Sequence, residues 1–311
     1  QDKIKFKQLG LLIVDEQHRF GVGQRGALVN EPSKSKKIPH LLSMSATPIP
    51  RTLAISLYGN LTVSTLNQVP TGRKPVKTLI IAEEQRQHAY DHVAKEVAQG
   101  RQAFVVTPRV EDTETSEVRS VKKEFNRLQA EVFPKLKLGL LYGKMKSADK
   151  DQVMTDFASG KLDILVSTSV IEIGIDIPNA TAMIIEGSER FGLAQLHQLR
   201  GRVGRNNFDS YCFLFTTDAS HQDTERLQTL SRVNDGFVLA QMDLEQRGFG
   251  DLFGKQQSGF AFRFPNFISL EALKQAKDIS QDLILKYPTP GHLPGPLAPK
   301  VEDYLETIHF E

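Results

Sequence analysis

The sequence predicts an α/β protein built on a doubly wound parallel sheet, and two observations carry that prediction. Short apolar runs rich in Val, Ile and Leu recur at Leu9–Val14, Leu41–Met44, Thr78–Ala82, Ala103–Thr107, Lys137–Tyr142, Asp163–Ser167, Ala182–Glu186 and Tyr211–Phe215. They do not alternate with polar residues, which is the pattern of parallel strands covered on both faces. Polar stretches with apolar residues at helical spacing lie between them, and strand–helix alternation of this kind places helices on both sides of a sheet.

Taken in order, Arg73-Lys74-Pro75 separates two blocks. Residues 1–75 hold two strands and are too short for a complete sheet of this type. Residues 76–218 read as a whole α/β domain. Within it Tyr90, Val93 and Val97 give one helix its apolar stripe and Gly100 stops it. Ser147 is placed to cap the next helix, Val153 and Phe157 give it an apolar face, and Gly160 ends it. Residues 219–265 turn helical and then glycine-rich, with Phe237, Gln241 and Leu244 on one stripe that closes at Gly248. Residues 266–311 hold a last helix over Ser269–Leu285, then an extended tail with prolines 288, 290, 294, 296 and 299.

The chain has 311 residues, 40% hydrophobic and 24% charged, as in globular proteins. Its net charge of +2 confines any nucleic-acid surface to a local patch. A single cysteine, Cys212, excludes an internal disulfide or a multi-cysteine metal site and suits a reducing cytosol. No apolar run approaches the roughly 20 residues of a membrane span. The start, Gln1-Asp2-Lys3, is neither an initiator methionine nor a signal peptide, and reads as the edge of an excised piece.

In open α/β sheets ligands bind beyond the carboxyl ends of strands, so the polar residues closing each run are the candidates. Leu11–Val14 is followed by Asp15-Glu16-Gln17-His18. Two adjacent carboxylates at a strand end repel each other unless a cation sits there, and Mg²⁺ carried by nucleotide phosphates suits them. Asp15 then belongs to the metal shell and Glu16 orients the attacking water; the bland alternative is an exposed loop. Ser45-Ala46-Thr47-Pro48 closes the second run. Its hydroxyls at Ser45 and Thr47 fit a link between a nucleotide site and a neighbouring domain, and a capped turn accounts for them equally well.

Gln195 to Arg205 is the most informative stretch. Arg202 and Arg205, three apart, are expected on one helix face, with Gly201 and Gly204 letting another surface come close. Guanidinium groups facing a polyphosphate neutralise the charge that builds during phosphoryl transfer. A solvated basic face is the alternative, and it has no use for the glycines. Three further tips, at Thr107-Pro108-Arg109, Tyr142–Lys146 (with Gly143 and Lys144) and Thr168–Asp176, offer hydroxyls, amides and lysines suited to a sugar-phosphate backbone. Each alone is an ordinary loop; on one sheet edge they make a strand-tracking groove. His88 and His92 have zinc-helix spacing but no third ligand, and read as solvated helix. Cys212 reads as core, as do most of the 18 Phe. Phe260, Phe262, Phe264 and Phe267, with Arg263, form an aromatic-basic cluster that suits packing or base stacking. A phosphate loop, GxxxxGK[ST], is absent: Gly160-Lys161 is followed by leucine, and Gly254-Lys255 by glutamine.

These stretches resemble the ordered motifs of superfamily 2 helicases: Asp15–His18 motif II, Ser45–Arg51 motif III, the Thr107 region motif IV, Thr168–Asp176 motif V and Gln195–Arg205 motif VI. His18–Val22, Pro48–Leu53, Gly192–Leu199, Asn234–Phe237, Asp243–Gly248 and Gln257–Gly259 narrow the resemblance to the RecG family of DNA helicases, over about Leu9 to Gly259. Asp251 stands where that family usually has glutamate. The Mfd-type transcription-repair coupling translocases share the hairpin after motif VI and are the nearest competitor; Asn234-Asp235-Gly236 and Gln24-Arg25 favour RecG. A non-enzymatic interaction module is a further alternative.

The resemblance implies a RecA-like motor fold, with part of a first lobe, a complete second lobe and a helical-hairpin translocation motif. It implies ATP and Mg²⁺ as cofactors, with Asp15, Glu16, Gln17, His18, Arg202 and Arg205 catalytic, and Gly174, Asp176 and Gln198 also facing the nucleotide. It further implies DNA contact or coupling through Ser45, Thr47, Thr107, Gly143, Lys144, Thr168, Arg226 and Arg247. Partners would be forks and Holliday junctions, with a single-stranded-DNA-binding protein by analogy, for a monomer acting in recombination and repair at the bacterial nucleoid in the cytoplasm. Lacking the phosphate loop, the 311 residues alone are expected to be inactive.

Overall fold

The computed structural model describes residues 9–15, 39–45, 64–66, 68, 72, 74–108, 114–169, 176–217, 221–247 and 270–307. The chain divides into two compact units, residues 1–63 with 247–311, and residues 64–246. Every apolar run named above overlaps an observed strand.

In the second unit the strands are β3 (Lys77–Ile81), β4 (Gln102–Val106), β5 (Leu138–Leu141), β6 (Ile164–Ser167), β7 (Ala180–Ile185) and β8 (Tyr211–Phe215). They form one sheet in the order β3-β8-β7-β4-β6-β5, and every neighbouring pair is parallel. β4, β6 and β7 are buried at every residue, as expected of strands covered on both faces, whereas edge strand β3 alternates. Alternate side chains of the same strand therefore feed two cores. One lies under α1 (Arg86–Ala98) and α2 (Glu114–Arg127), with Tyr90, Val93, Val121 and Leu128. The other lies under α3 (Ser147–Ala158), α4 (Leu193–Arg200) and α5 (His221–Arg232), with Phe157, Leu196, Leu199 and Leu230. Gly100 and Gly160 take φ +79° and +75°, the left-handed stops that follow α1 and α3. α6 (Gly236–Arg247) follows α5.

Two local expectations change. Ser147 is the first residue of α3; the cap position falls to Lys146, whose extended backbone starts the helix without a side-chain cap. The proline-rich tail is not extended: Pro290–His292 forms a 3-10 turn and α8 spans Leu297–Thr307 after α7 (Leu270–Lys286). Pro299 falls in the first turn of α8, where a backbone N–H has no intrahelical partner to lose. In the first unit β1 (Leu11–Val14) pairs in parallel with β2 (His40–Ser43), and Met44 N donates to Val14 O at 2.7 Å.

His88 is exposed, as expected of a solvated helix, whereas His92 is half-buried. Its ring stands edge-on to Tyr211 and Phe213, with centroids at 4.2 and 5.6 Å, and burial lowers its pKa. Among the described residues no group of three His, Cys, Asp or Glu is placed to hold a metal.

Phe157, fully buried against Phe104 at 5.0 Å, is expected to cost about 3–5 kcal/mol as Phe157→Ala, read from the shift in denaturant midpoint. The folded state favours neutral His92, so its contribution is present above the unfolded value near 6.5 and is lost as pH falls through the lowered folded value. His92→Phe is therefore expected to lose less melting temperature than the parent between about pH 7 and 5.

Candidate functional site

The chain leaves β4 for α2 on one face of the sheet and leaves β7 for α4 on the other, so the carboxyl ends of these adjacent strands open a crevice. Register extends one residue past the strands. Val106 pairs with Ile185 and with Ser167, and Leu141 pairs with Ser167, so Glu186, Thr107, Thr168 and Tyr142 stand in one row across β7, β4, β6 and β5. Backbone bonds fix that row: Glu186 N to Val106 O at 2.8 Å, Thr107 N to Ser167 O at 2.9 Å, and Thr168 N to Leu141 O at 3.3 Å. Thr107, Gly143, Lys144 and Thr168 thus share one sheet edge, as the groove reading requires. The loop at Gly143 and Lys144 is exposed, and Lys150 Nζ donates to Gly143 O. Thr107 and Thr168 are buried, and Thr168 Oγ1 makes no hydrogen bond among the described residues. Gly187, at φ +55°, lets the β7 tip lie on Pro108; a Cβ there would stand 3.1 Å from the proline ring.

The arginine turn lies at the opposite edge. α4 ends at Arg200, so Arg202 and Arg205 do not share a helix face, contrary to the spacing argument. Arg202 N bonds Leu199 O and Val203 N bonds Arg200 O, tightening the chain to three-residue steps, and Gly204 at φ +72° then ends it. A Cβ on Gly204 would come within 2.8 Å of Val76 Cγ2, so close approach to the start of β3 requires glycine. Beyond it, Arg205 Nη1 meets Asp176 Oδ1 at 3.2 Å and Arg205 Nε donates to Gly201 O at 3.3 Å. Asn206 donates to Pro178 O, next to the amino end of β7. Motif V thus contributes to both edges, Thr168 at the carboxyl ends and Asp176 at the amino ends. Gln198 and Arg202 are half-buried.

α4 is held from outside by the helices that follow β8. Arg200, 4% exposed, donates to Leu230 O at 2.7 Å and Val233 O at 3.1 Å, and its Nη2 lies 2.9 Å from His197 Nδ1. Arg226 answers from α5, donating to Phe191 O at 2.6 Å and to Glu189 O. Leu193 N, at the start of α4, donates to Asp243 of α6 at 3.5 Å, where a carboxylate also suits the helix dipole.

In the first unit Asp15 follows β1 directly and is exposed, and Ser45 lies two residues past β2, so both stand at the carboxyl end of the same pair of parallel strands. Glu16, Gln17, His18, Thr47, Gly174 and the Phe260–Phe267 cluster lie outside the described residues. Arg247 closes α6.

Comparison with known proteins accords with this geometry. Residues 84–207 match the family described as helicase conserved C-terminal domain, and residues 233–282 match ATP-dependent DNA helicase RecG, domain 3, C-terminal. The chain is 43% identical over 290 residues to the ATP-dependent DNA helicase RecG of Synechocystis sp., covering 93% of this chain and 34% of that protein. The Thermotoga maritima RecG is 46% identical over 285 residues, covering 91% and 36%. A solved RecG bound to a three-way DNA junction superposes with TM-score 0.69 at 42% identity, covering 89% of this chain and 34% of that one. The DNA-bound helicase MrfA, at 19% identity and TM-score 0.54, shares the fold over 72% of this chain. The chain thus carries a helicase C-terminal domain built on a RecA-like parallel sheet. Over nearly all of its own length it is homologous to RecG helicases, while spanning about a third of the length of these curated relatives.

Three side chains that shape these sites carry no role in the sequence reading: Arg86, Glu186 and Arg200. Glu186 was legible by the rule that singled out Asp15, since a carboxylate closes the apolar run of β7. Arg200 gave no signal apart from its neighbours.

Gly204→Ala is expected to cost about 1–3 kcal/mol, and adding Val76→Ala to relieve only the contact part and not the φ strain, read by calorimetry. Arg200→Leu leaves buried carbonyls of Leu230 and Val233 without their donor and is expected to cost about 2–4 kcal/mol, measured the same way.

Proposed function

We propose that this chain supplies the second motor lobe and the translocation hairpin of an ATP-driven, RecG-type helicase that moves duplex DNA, remodelling stalled forks and branch-migrating Holliday junctions. The observation that carries the reading is the construction around α4. Its carboxyl end delivers Arg202 and Arg205 on a glycine-dependent turn, while Arg200, Arg226 and Asp243 tie its body to α5 and α6. A change at the arginines is thereby transmitted to the hairpin through mostly half-buried hydrogen bonds.

ATP fits the donor set in part. Arg202 and Arg205 are cations suited to phosphate oxygens, and Asp15 offers one carboxylate at a strand tip, too few ligands to retain a resident metal. Mg²⁺ would therefore arrive with the nucleotide, with Asp15 and Glu16 in its shell, and Gly174, Asp176 and Gln198 beside the nucleotide. Asp176 already holds Arg205, which keeps the guanidinium extended along the turn. DNA would run along the carboxyl edge past Thr107, Gly143, Lys144 and Thr168, with Ser45 and Thr47 in the first unit and Arg247 in the hairpin. The reading extends to a cytoplasmic, nucleoid-associated monomer, with single-stranded-DNA-binding protein as a partner by family analogy.

In the full-length gene product, Arg205→Ala is expected to lower ATP turnover by about 10³-fold or more while DNA binding persists. Near-normal turnover would refute the finger assignment. The 311-residue chain alone, without a phosphate loop, is expected to show no ATPase; sustained hydrolysis by it would overturn the division of labour.

A further inference from the structure

Glu186 is a buried carboxylate in a row of proposed phosphate contacts, and it is only half partnered. Its side chain is 12% exposed. Oε2 meets Arg86 Nη1 at 3.2 Å, while Oε1 is buried with no hydrogen bond among the described residues. Arg86 itself is held from three other sides: Glu83 Oε2 at 2.9 Å, Thr216 O at 3.4 Å, and the Phe215 ring with its centroid at 4.8 Å. Among the described residues the remaining titratable groups acting on this carboxylate are Tyr90 of α1 and Glu124 and Arg127 of α2, and these are tied to one another. Arg127 bonds Glu124 at 2.6 Å and the Tyr90 hydroxyl at 2.8 Å. Burial raises the Glu186 carboxyl to about 7; Arg86 opposes that rise, Glu124 adds to it, Arg127 opposes it and Glu83 adds to it.

Thr107 is the next position in the row and Thr168 the one after, so at sheet spacing they stand about 5 and 10 Å from Glu186. A phosphate received there lies within about one Debye length of the carboxylate and repels its charged form. We propose that Glu186 is a positioning residue that couples a proton to nucleic-acid engagement at the β4 and β6 tips, becoming neutral as a backbone phosphate arrives. The neutral acid loses no existing bond at Oε1 and gains a hydroxyl donor. Arg86, relieved of one of its two carboxylate partners, adds positive potential to the same edge. By linkage, whatever the phosphate does to the proton, the proton does equally to the phosphate.

The inference rests on the reading that DNA follows the carboxyl edge, and the test separates the two. Binding of a fluorescent branched DNA to the full-length gene product would be measured from pH 8 to 6 at fixed ionic strength. The parent is expected to gain about five- to tenfold in affinity beyond any gain shown by Glu186→Gln, which should bind more tightly than the parent at pH 8. Calorimetry of the parent in buffers of different ionisation enthalpy should show proton uptake on binding near pH 7. Equal pH slopes in parent and Glu186→Gln, or no proton uptake, would overturn the proposal. Thr168→Val with unchanged DNA affinity would remove DNA from this edge and take the proposal with it. Weakened binding by Thr168→Val alongside equal pH slopes would defeat the proton coupling alone.

Discussion

Buried Arg200 and half-buried Arg226, exchanging backbone contacts between α4 and α5, are the constraint on which the placement of α4 depends. Arg200 reaches outward to the last carbonyls of α5, and Arg226 reaches back to the turn that launches α4. Arg200 satisfies carbonyls that the carboxyl end of α5 leaves without helical partners, and Arg226 satisfies carbonyls of the turn that precedes α4. A cation this deeply buried is retained only when such acceptors surround it, which fixes the relative placement of the two helices more firmly than apolar contact alone. The turn at Gly201–Arg205 inherits that placement because it is the direct continuation of α4.

The sheet separates two kinds of work. Its carboxyl edge carries hydroxyls, backbone amides and an exposed lysine loop, the groups that suit a sugar-phosphate strand. Its amino edge carries Asp176 and Arg205, joined by an ion pair, with Gly204 against Val76 and Asn206 bonded to Pro178 O on either side of the arginine. Thr168 and Asp176 therefore stand at opposite ends of the strands, separated by β4, β6 and β7, which are buried throughout.

Much of this was legible from sequence because burial on both faces leaves an unbroken apolar run, and each such run became a strand. Helix ends at Gly100 and Gly160 were legible because left-handed backbone favours glycine. The tail after Tyr287 departs from the extended chain that its proline content suggests, because Pro299 stands in a first turn that tolerates it. Arg202 and Arg205 were misplaced on a helix for a related reason: three-residue spacing fits a helix and a tight turn equally, and only the positive φ of Gly204 decides between them. The roles of Arg200, Arg86 and Glu186 were not legible, since their partners are carbonyls and side chains distant in sequence.

Cys212 lies fully buried in β8, and burial drives its thiol up to about 12. A thiolate is the reactive species, so at ordinary pH this sulfur is close to inert towards maleimides and iodoacetamides. It is also the only cysteine in the 311 residues. A reporter dye can therefore be placed on this polypeptide through a single introduced surface cysteine, leaving the native one in its core.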